Sequence, residues 1–257
     1  MKPTRSFLFV VTFSSLLCSA LPGRAQDQAP VEQQKPKWDT TASAGLTLTR
    51  GNSETLLFAV TAATARTWDK NKLSLGADMT YGTTKDQTTD VTTRDTDSYH
   101  GYIQYDRLFT ERFYGYARAE GLYDSIADIK YRAILSPGAG YYLIKQTNID
   151  FCVEAGPAFI FQKLGDDESS YVTLRLAEKF HYALSDRARI WESVEWLPKV
   201  DDFNNYIVNA EAGIAADLTQ KKNLSLSIVL RDTYNSVPAT GRKENDLKLI
   251  AAVNYKL

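Results

Sequence analysis

The chain has 257 residues, with 30 Lys and Arg against 31 Asp and Glu, and 44% hydrophobic residues. A formal net charge of −1 leaves no basic excess for a nucleic-acid partner. The mean hydropathy of −0.32 fits a soluble barrel as well as a membrane barrel whose two faces alternate.

Residues 1–25 read as a secretory signal. Lys2 and Arg5 precede the apolar run FLFVVTFSSLLCSAL, and Gly23 and Ala25 occupy the small-residue positions of a cleavage site. The run is shorter than the ~20 apolar residues of a membrane-spanning helix. Leu17 before Cys18 is larger than a lipoprotein site accepts. Removing the signal takes away Lys2, Arg5 and Arg24, so 30 − 3 = 27 basic residues face 31 acidic ones, a net of −4. Only Cys152 remains, so an exported chain must hold together without an internal disulfide.

Residues 26–38 have linker composition, with QDQAPVEQQKPK lacking any periodicity. From 39 to 257 no second linker interrupts, and the whole stretch is expected to form one all-β domain. Twelve segments alternate at strand period, beginning with SAGLTLTR, where Ala44, Leu46 and Leu48 share a face, and TLLFAVTAATART after the turn RGNSE. The pattern continues through KLSLGADMTYG, SYHGYIQYDRLF, RFYGYARAEGLYDS, KYRAILSPGAGYYLI, IDFCVEAGPAFIFQ, SYVTLRLAEKFHYAL, ARIWESVEWLPKV, NYIVNAEAGIAADL, NLSLSIVLRDTYN and DLKLIAAVNYKL. Most exceed the ~5–6 residues usual in soluble sheets. Even-numbered connections such as WDKNK and KQTN are short, and odd-numbered ones such as TTKDQTTDVTTRDTD and SVPATGRKEN are longer. That is the rhythm of an antiparallel transmembrane β-barrel of about 12 strands with both termini periplasmic.

The energetics of burial then assigns the faces. The apolar set is expected to meet lipid, because a Lys or Arg at mid-bilayer on that face costs about 2–4 kcal/mol. The opposite set carries Asp78, Arg118, Glu120, Glu154, Arg175, Lys179, Glu211, Asp217, Arg231 and Lys248, which should point into a polar lumen. The lining candidates are Arg118, Glu120, Glu154, Arg175, Lys179, Glu211 and Arg231. Glu178 falls in phase with Val172, Leu174 and Leu176, and a bulge or a register error is expected to explain it. Aromatics including Trp68, Tyr81, Tyr99, Phe109, Phe113, Tyr123, Trp191, Trp196, Tyr206, Tyr234 and Tyr255 gather near segment ends, as interfacial girdles require.

The opening hairpin GLTLTRGNSET, the closing LIAAVNYKL and the rhythm between them resemble the bacterial outer-membrane family catalogued as domain of unknown function 481, some members of which are labelled salt-induced outer membrane proteins. The resemblance covers nearly all of residues 40–257 and implies location and fold. It also implies that the last strand, with Tyr255 and Leu257 at its apolar positions, is the signal read by the barrel assembly machinery. Leu257 stands where such barrels usually end in phenylalanine. Outer-membrane lipid is the other expected partner.

Other chemistries have weaker support. Ser98 and His100 share a strand face, the germ of a lipid hydrolase, yet no G-x-S-x-G accompanies them, and His181 reads as structural. Asp86, Asp90, Asp95 and Asp97, with Asp166, Asp167 and Glu168, offer oxygen ligands but no calcium-loop spacing, so no metal and no cofactor is expected. The leading expectation is a structural barrel or a narrow channel for small solutes and ions. A soluble secreted β-barrel binder is the further alternative.

Overall fold

The structure is a computed structural model that describes residues 37–49, 53–86 and 91–257. The signal segment, nearly all of the linker and the Arg50–Asn52 turn lie outside the described residues. The strands are β1 (Trp38–Thr49), β2 (Ser53–Trp68), β3 (Asn71–Asp86), β4 (Thr92–Leu108), β5 (Phe113–Asp124) and β6 (Ile129–Lys145). They are followed by β7 (Ile149–Leu164), β8 (Asp167–Ala183), β9 (Ala188–Lys199), β10 (Asp202–Asp217), β11 (Leu224–Asn235) and β12 (Asn245–Lys256). Each pairs antiparallel with its sequence neighbours, and β12 returns to β1 with Thr41 opposite Lys256 and Gly45 opposite Ala252, closing the barrel. Closure removes the edge that a terminal apolar strand would otherwise expose.

Period-two alternation translates directly into an outer and an inner wall. One outward row runs Val60, Met79, Tyr99, Tyr123 across four strands, and the row beside it runs inward through Thr61, Asp78 and His100. Leu247 and Leu249 are 63% and 61% exposed, and Leu46, Phe159, Phe161, Ile214 and Ile228 are exposed with them. A continuous apolar outer surface of this kind is foreign to a soluble monomer and fitting for a wall in lipid.

Outward aromatics gather in two belts. Trp68 with Tyr105 (6.3 Å) and Phe109 with Phe113 (5.8 Å) lie toward the end at which β1 begins and β12 finishes, the proximal end. Tyr99 with Tyr123 (5.9 Å), Trp196 with Phe203 (6.5 Å) and Tyr206 with Tyr234 (5.6 Å) lie toward the distal end. Tyr131 and Tyr141 stand ten residues apart on β6. That spacing is about 33 Å along a strand, or ~25 Å of height at a tilt of ~40°, the height of an outer-membrane apolar band. Trp191 departs from the expected girdle: it faces inward, opposite Gly213.

That pairing recurs. Tyr102 lies opposite Gly76, Tyr114 opposite Gly140 and Tyr116 opposite Gly138. A Cβ on Gly140 would come within 2.2 Å of the Tyr114 ring, and one on Gly213 within 2.1 Å of Trp191. The glycines therefore make room for inward rings to lie flat against the neighbouring strand, which keeps them out of the middle of the lumen.

Four expectations need correction. Connection length does not separate the two ends, since β7 joins β8 through Gly165 and Asp166 alone and β9 joins β10 through Val200 and Asp201, while the proximal β10–β11 connection spans 218–223. Residues such as Thr92–Thr96 belong to strand, because β3 and β4 continue their pairing beyond a bulge at Gly82/Thr83. Glu178 is explained by no bulge: β8 pairs with β7 without a break, placing Glu178 opposite Val153 and on the outer wall. Nor is the lumen polar throughout. Ile134, Ala158, Ile160, Leu197 and Ile207, with Tyr171 against them, form a buried apolar cluster inside the distal half. On β6 to β10 the inner wall packs against itself there, as the interiors of small barrels do.

Candidate functional site: a charged girdle inside the barrel

Glu154 sits at the centre of a dense set of lumen contacts. It accepts hydrogen bonds from Tyr114 Oη (2.9 Å), Gln104 Nε2 (3.0 Å), Lys179 Nζ (2.8 Å) and Arg175 Nη1 (2.8 Å). Its side chain is 1% exposed and that of Arg175 2%, so neither charge has water to fall back on. Arg175 also donates Nε to Glu195 Oε1 (2.5 Å) and lies over the Tyr116 ring at 5.2 Å. Glu195 in turn accepts from Asn209 (3.0 Å), which carries the chain of bonds onto β10.

Gln104 carries it the other way. Its Oε1 accepts from Arg118 (3.2 Å), which grips Glu120 through Nε (3.1 Å) and Nη2 (2.8 Å) and rests on Tyr102 at 4.3 Å. Glu120 faces His100 Nε2 at 3.6 Å, and His100 Nδ1 meets Asp78 at 3.1 Å. From Asp78 the chain crosses the lumen: Arg231 Nη1 lies 3.3 Å from Asp78 Oδ2, although β12, β1 and β2 separate β11 from β3. Arg231 Nε donates to Glu211 (2.7 Å), which also accepts from Trp191 Nε1 (2.8 Å). Glu211 and Asn209 are both on β10, so the two arms of the network end two residues apart, and the Asp78–Arg231 bridge closes them into a ring that leaves β12, β1 and β2 outside it. A second crossing pairs Lys248 of β12 with Asp124 of β5 at 3.7 Å.

All seven lining candidates therefore point into the barrel. Arg118, Glu120, Glu154, Arg175 and Lys179 gather on one side and Glu211 and Arg231 on the other, with Asp78 and His100 joining them. Asp217 also points inward and pairs with Arg189 at 2.8 Å. Gln104, Glu195 and Asn209 complete the girdle without standing out in the sequence. Their in-phase positions on β4, β9 and β10 are the only signal they give.

Below the girdle an inner cavity of about 580 Å³ runs from Thr147 and Asn148 at the proximal end up to Glu211 and Arg231. Small side chains, Ser43, Thr61, Ala63, Ser227 and Ala252, line its β11–β12–β1–β2 side, and Arg189, Trp191 and His181 face them. The girdle is thus the ceiling of a wide vestibule.

The Ser98–His100 pair is not assembled for nucleophilic chemistry, because both ring nitrogens of His100 are directed at carboxylates. In the acidic distal segments Asp95 accepts from Thr84 (2.5 Å), Asp97 pairs with Arg94 (3.0 Å) and Glu168 accepts from Tyr131 (2.8 Å). Asp90 and the Asp86 side chain lie outside what is described, and among the described residues no three candidate ligands gather around one point.

On the last strand, Tyr255 lies on the outer wall opposite Ala42 and Leu224, 47% exposed. Leu257, 74% exposed, is tied by its N–H to the Thr40 carbonyl at 2.9 Å.

An apolar exterior, two aromatic belts, a closed antiparallel wall and a charged interior define the class of outer-membrane β-barrels. Within it, the chain belongs to the family described as protein of unknown function DUF481, whose pattern matches residues 42–257. Among solved structures, the NanC porin is similar at a TM-score of 0.51 and 10% identity, over 85% of this chain and 100% of that one. The KdgM porin matches at 0.46 and 8% identity over 86% and 99% of the two chains. The translocator domain of the autotransporter NalP from Neisseria meningitidis matches at 0.43 and 14% over 86% and 87%. No curated protein matches this chain.

Proposed function

We propose that the protein sits in the bacterial outer membrane, with both termini periplasmic, and that its lumen is a narrow charge-lined passage for ions and small solutes. The observation that carries this reading is the girdle across the mid-lumen above an open vestibule. A barrel built only as a scaffold has no need of a cavity of about 580 Å³ reaching from the Thr147–Asn148 turn to the girdle. Twelve strands fall between the ~8 that side chains fill and the ~16–18 that leave a wide channel. The bridge from Asp78 to Arg231 narrows the passage further, and Arg118, Arg175, Lys179 and Arg231 among the carboxylates favour neither sign of ion strongly.

Membrane location has a simple test. The protein should fractionate with outer membranes and migrate faster in a gel when unboiled than when boiled, since a closed barrel resists detergent until heated. Identical migration together with soluble fractionation contradicts the reading.

The proposal extends to assembly. The machinery that inserts barrels is taken to recognise the terminal strand, with Tyr255 and Leu257 at its outward positions. Tyr255→Asp is expected to lower the amount of heat-modifiable barrel severely, while a charge added in the 92–96 segment of β4 leaves it nearly unchanged. Equal losses would reduce β12 to one strand among the others.

A further inference from the structure

On β8 and β9 the outer wall carries two carboxylates that neither the passage nor the fold uses. Glu178 faces outward between Val153 on β7 and Val194 on β9. Glu192 faces outward as well, opposite Phe180 on β8 and Ala212 on β10, so the two carboxylates are diagonal neighbours across β8 and β9. Diagonal positions of an antiparallel pair lie within reach of long side chains. The outward residues of these strands from Phe151 to Phe161, Val172 to Tyr182, Ile190 to Pro198 and Val208 to Ala216 include no Lys or Arg. Ionised carboxylates on a lipid-facing wall are costly unless a cation from outside the chain accompanies them.

Beside Glu178 the wall is hollow. Ala139, Ala155, Leu176 and Trp196 form one register row, and Tyr141, Val153, Glu178 and Val194 form the row below it. The two alanines leave a floor between the bulky Phe113 and Tyr141 on one side and Leu176 and Trp196 on the other. The resulting groove has a volume of about 540 Å³ with Glu178 on its rim. Tyr141 and Phe113 lie toward the proximal belt, so the acidic rim sits near the headgroup level of the periplasmic leaflet and the groove rises into the hydrocarbon.

We infer that this groove holds a phospholipid with a primary-amine headgroup, one acyl chain lying along Ala139 and Ala155 and the ammonium donating to Glu178 and Glu192. The charge decides the occupant. A second copy docking about a two-fold axis through this patch would bring four carboxylates together, and a like-charged contact of that kind is unfavourable. A primary ammonium supplies up to three donors to two acceptor-only groups, which a trimethylated headgroup does not, and an anionic headgroup is repelled.

This inference rests on the membrane reading above. The test is native mass spectrometry of the full protein released from bilayers of equal parts phosphatidylethanolamine, phosphatidylcholine and phosphatidylglycerol. Phosphatidylethanolamine adducts should exceed the other two severalfold. Glu178→Gln with Glu192→Gln should abolish that preference while the barrel stays heat-modifiable, and Ala155→Trp should reduce all adducts by filling the floor. Equal retention of the three lipids, an unchanged preference in the double variant, or a stable dimer with this face buried would overturn the lipid site. A protein that inserts and shows no preference loses only this site, whereas one that never inserts loses the membrane reading too.

Discussion

Arg175→Ala is expected to cost the barrel about 3–5 kcal/mol, the penalty for breaking a buried ion pair by removing one partner. Arg175 compensates Glu154 at 2.8 Å and Glu195 at 2.5 Å, and its side chain is 2% exposed. After truncation Lys179 still serves Glu154 and Asn209 still serves Glu195, but no cation lies between the two carboxylates. The void also removes the ring contact with Tyr116. The readout is the temperature at which the compact gel form is lost in detergent, which should fall markedly. Combining Arg175→Met with Glu154→Gln and Glu195→Gln removes the two buried uncompensated carboxylates and refills the space, leaving only the partly exposed Lys179 ammonium without its partner, so most of the loss should be recovered. A single variant as heat-resistant as the parent would mean that water reaches this part of the lumen freely.

The second large effect concerns conduction. Arg231→Ala deletes the one side chain that reaches from β11 across to Asp78 on β3 while also holding Glu211. The ceiling of the vestibule opens and the lumen becomes more negative at mid-height. Single-channel conductance is expected to rise by a factor of about two or more, with a shift toward cations, because charges at a constriction set both field and selectivity. Asp78→Asn should raise conductance with less cation preference, since it frees the same bridge without adding negative charge. An unchanged conductance in both would place the narrowest point elsewhere, the apolar cluster around Ile160 and Leu197 being the next constriction.

Much of this architecture is legible in the residues because a strand period of two is a local property. The twelve segments, the closure of the last strand on the first and the inward direction of Arg118, Glu154, Arg175 and Arg231 all follow from alternation and from the cost of charge in lipid. What alternation does not carry is which charges meet. Asp78 and Arg231 are far apart in the chain and on non-adjacent strands, and only the curvature of the closed wall brings them to 3.3 Å. The apolar cluster was hidden for a related reason: Ile134 and Ile160 share the phase of Arg132 and Gln162, and the rule that inward means polar holds only where the lumen is wet. Glu178 shows the converse. Its phase needs no bulge: the unbroken pairing of β7 with β8 leaves the carboxylate on the outer wall, where the proposed amine-headgroup site gives it a partner. Trp191 was misplaced because an aromatic near a strand end satisfies the girdle pattern in sequence, while the empty space over Gly213 that takes its ring is visible only across the strand pair.

The most direct measurement is the conductance of the purified, unmodified protein in a planar bilayer. Small, ohmic steps with weak preference for either sign of ion are expected, as a narrow lumen lined by both charges requires. A bilayer that stays silent across voltages and salt concentrations, with the protein demonstrably inserted, would contradict the passage and leave a sealed barrel.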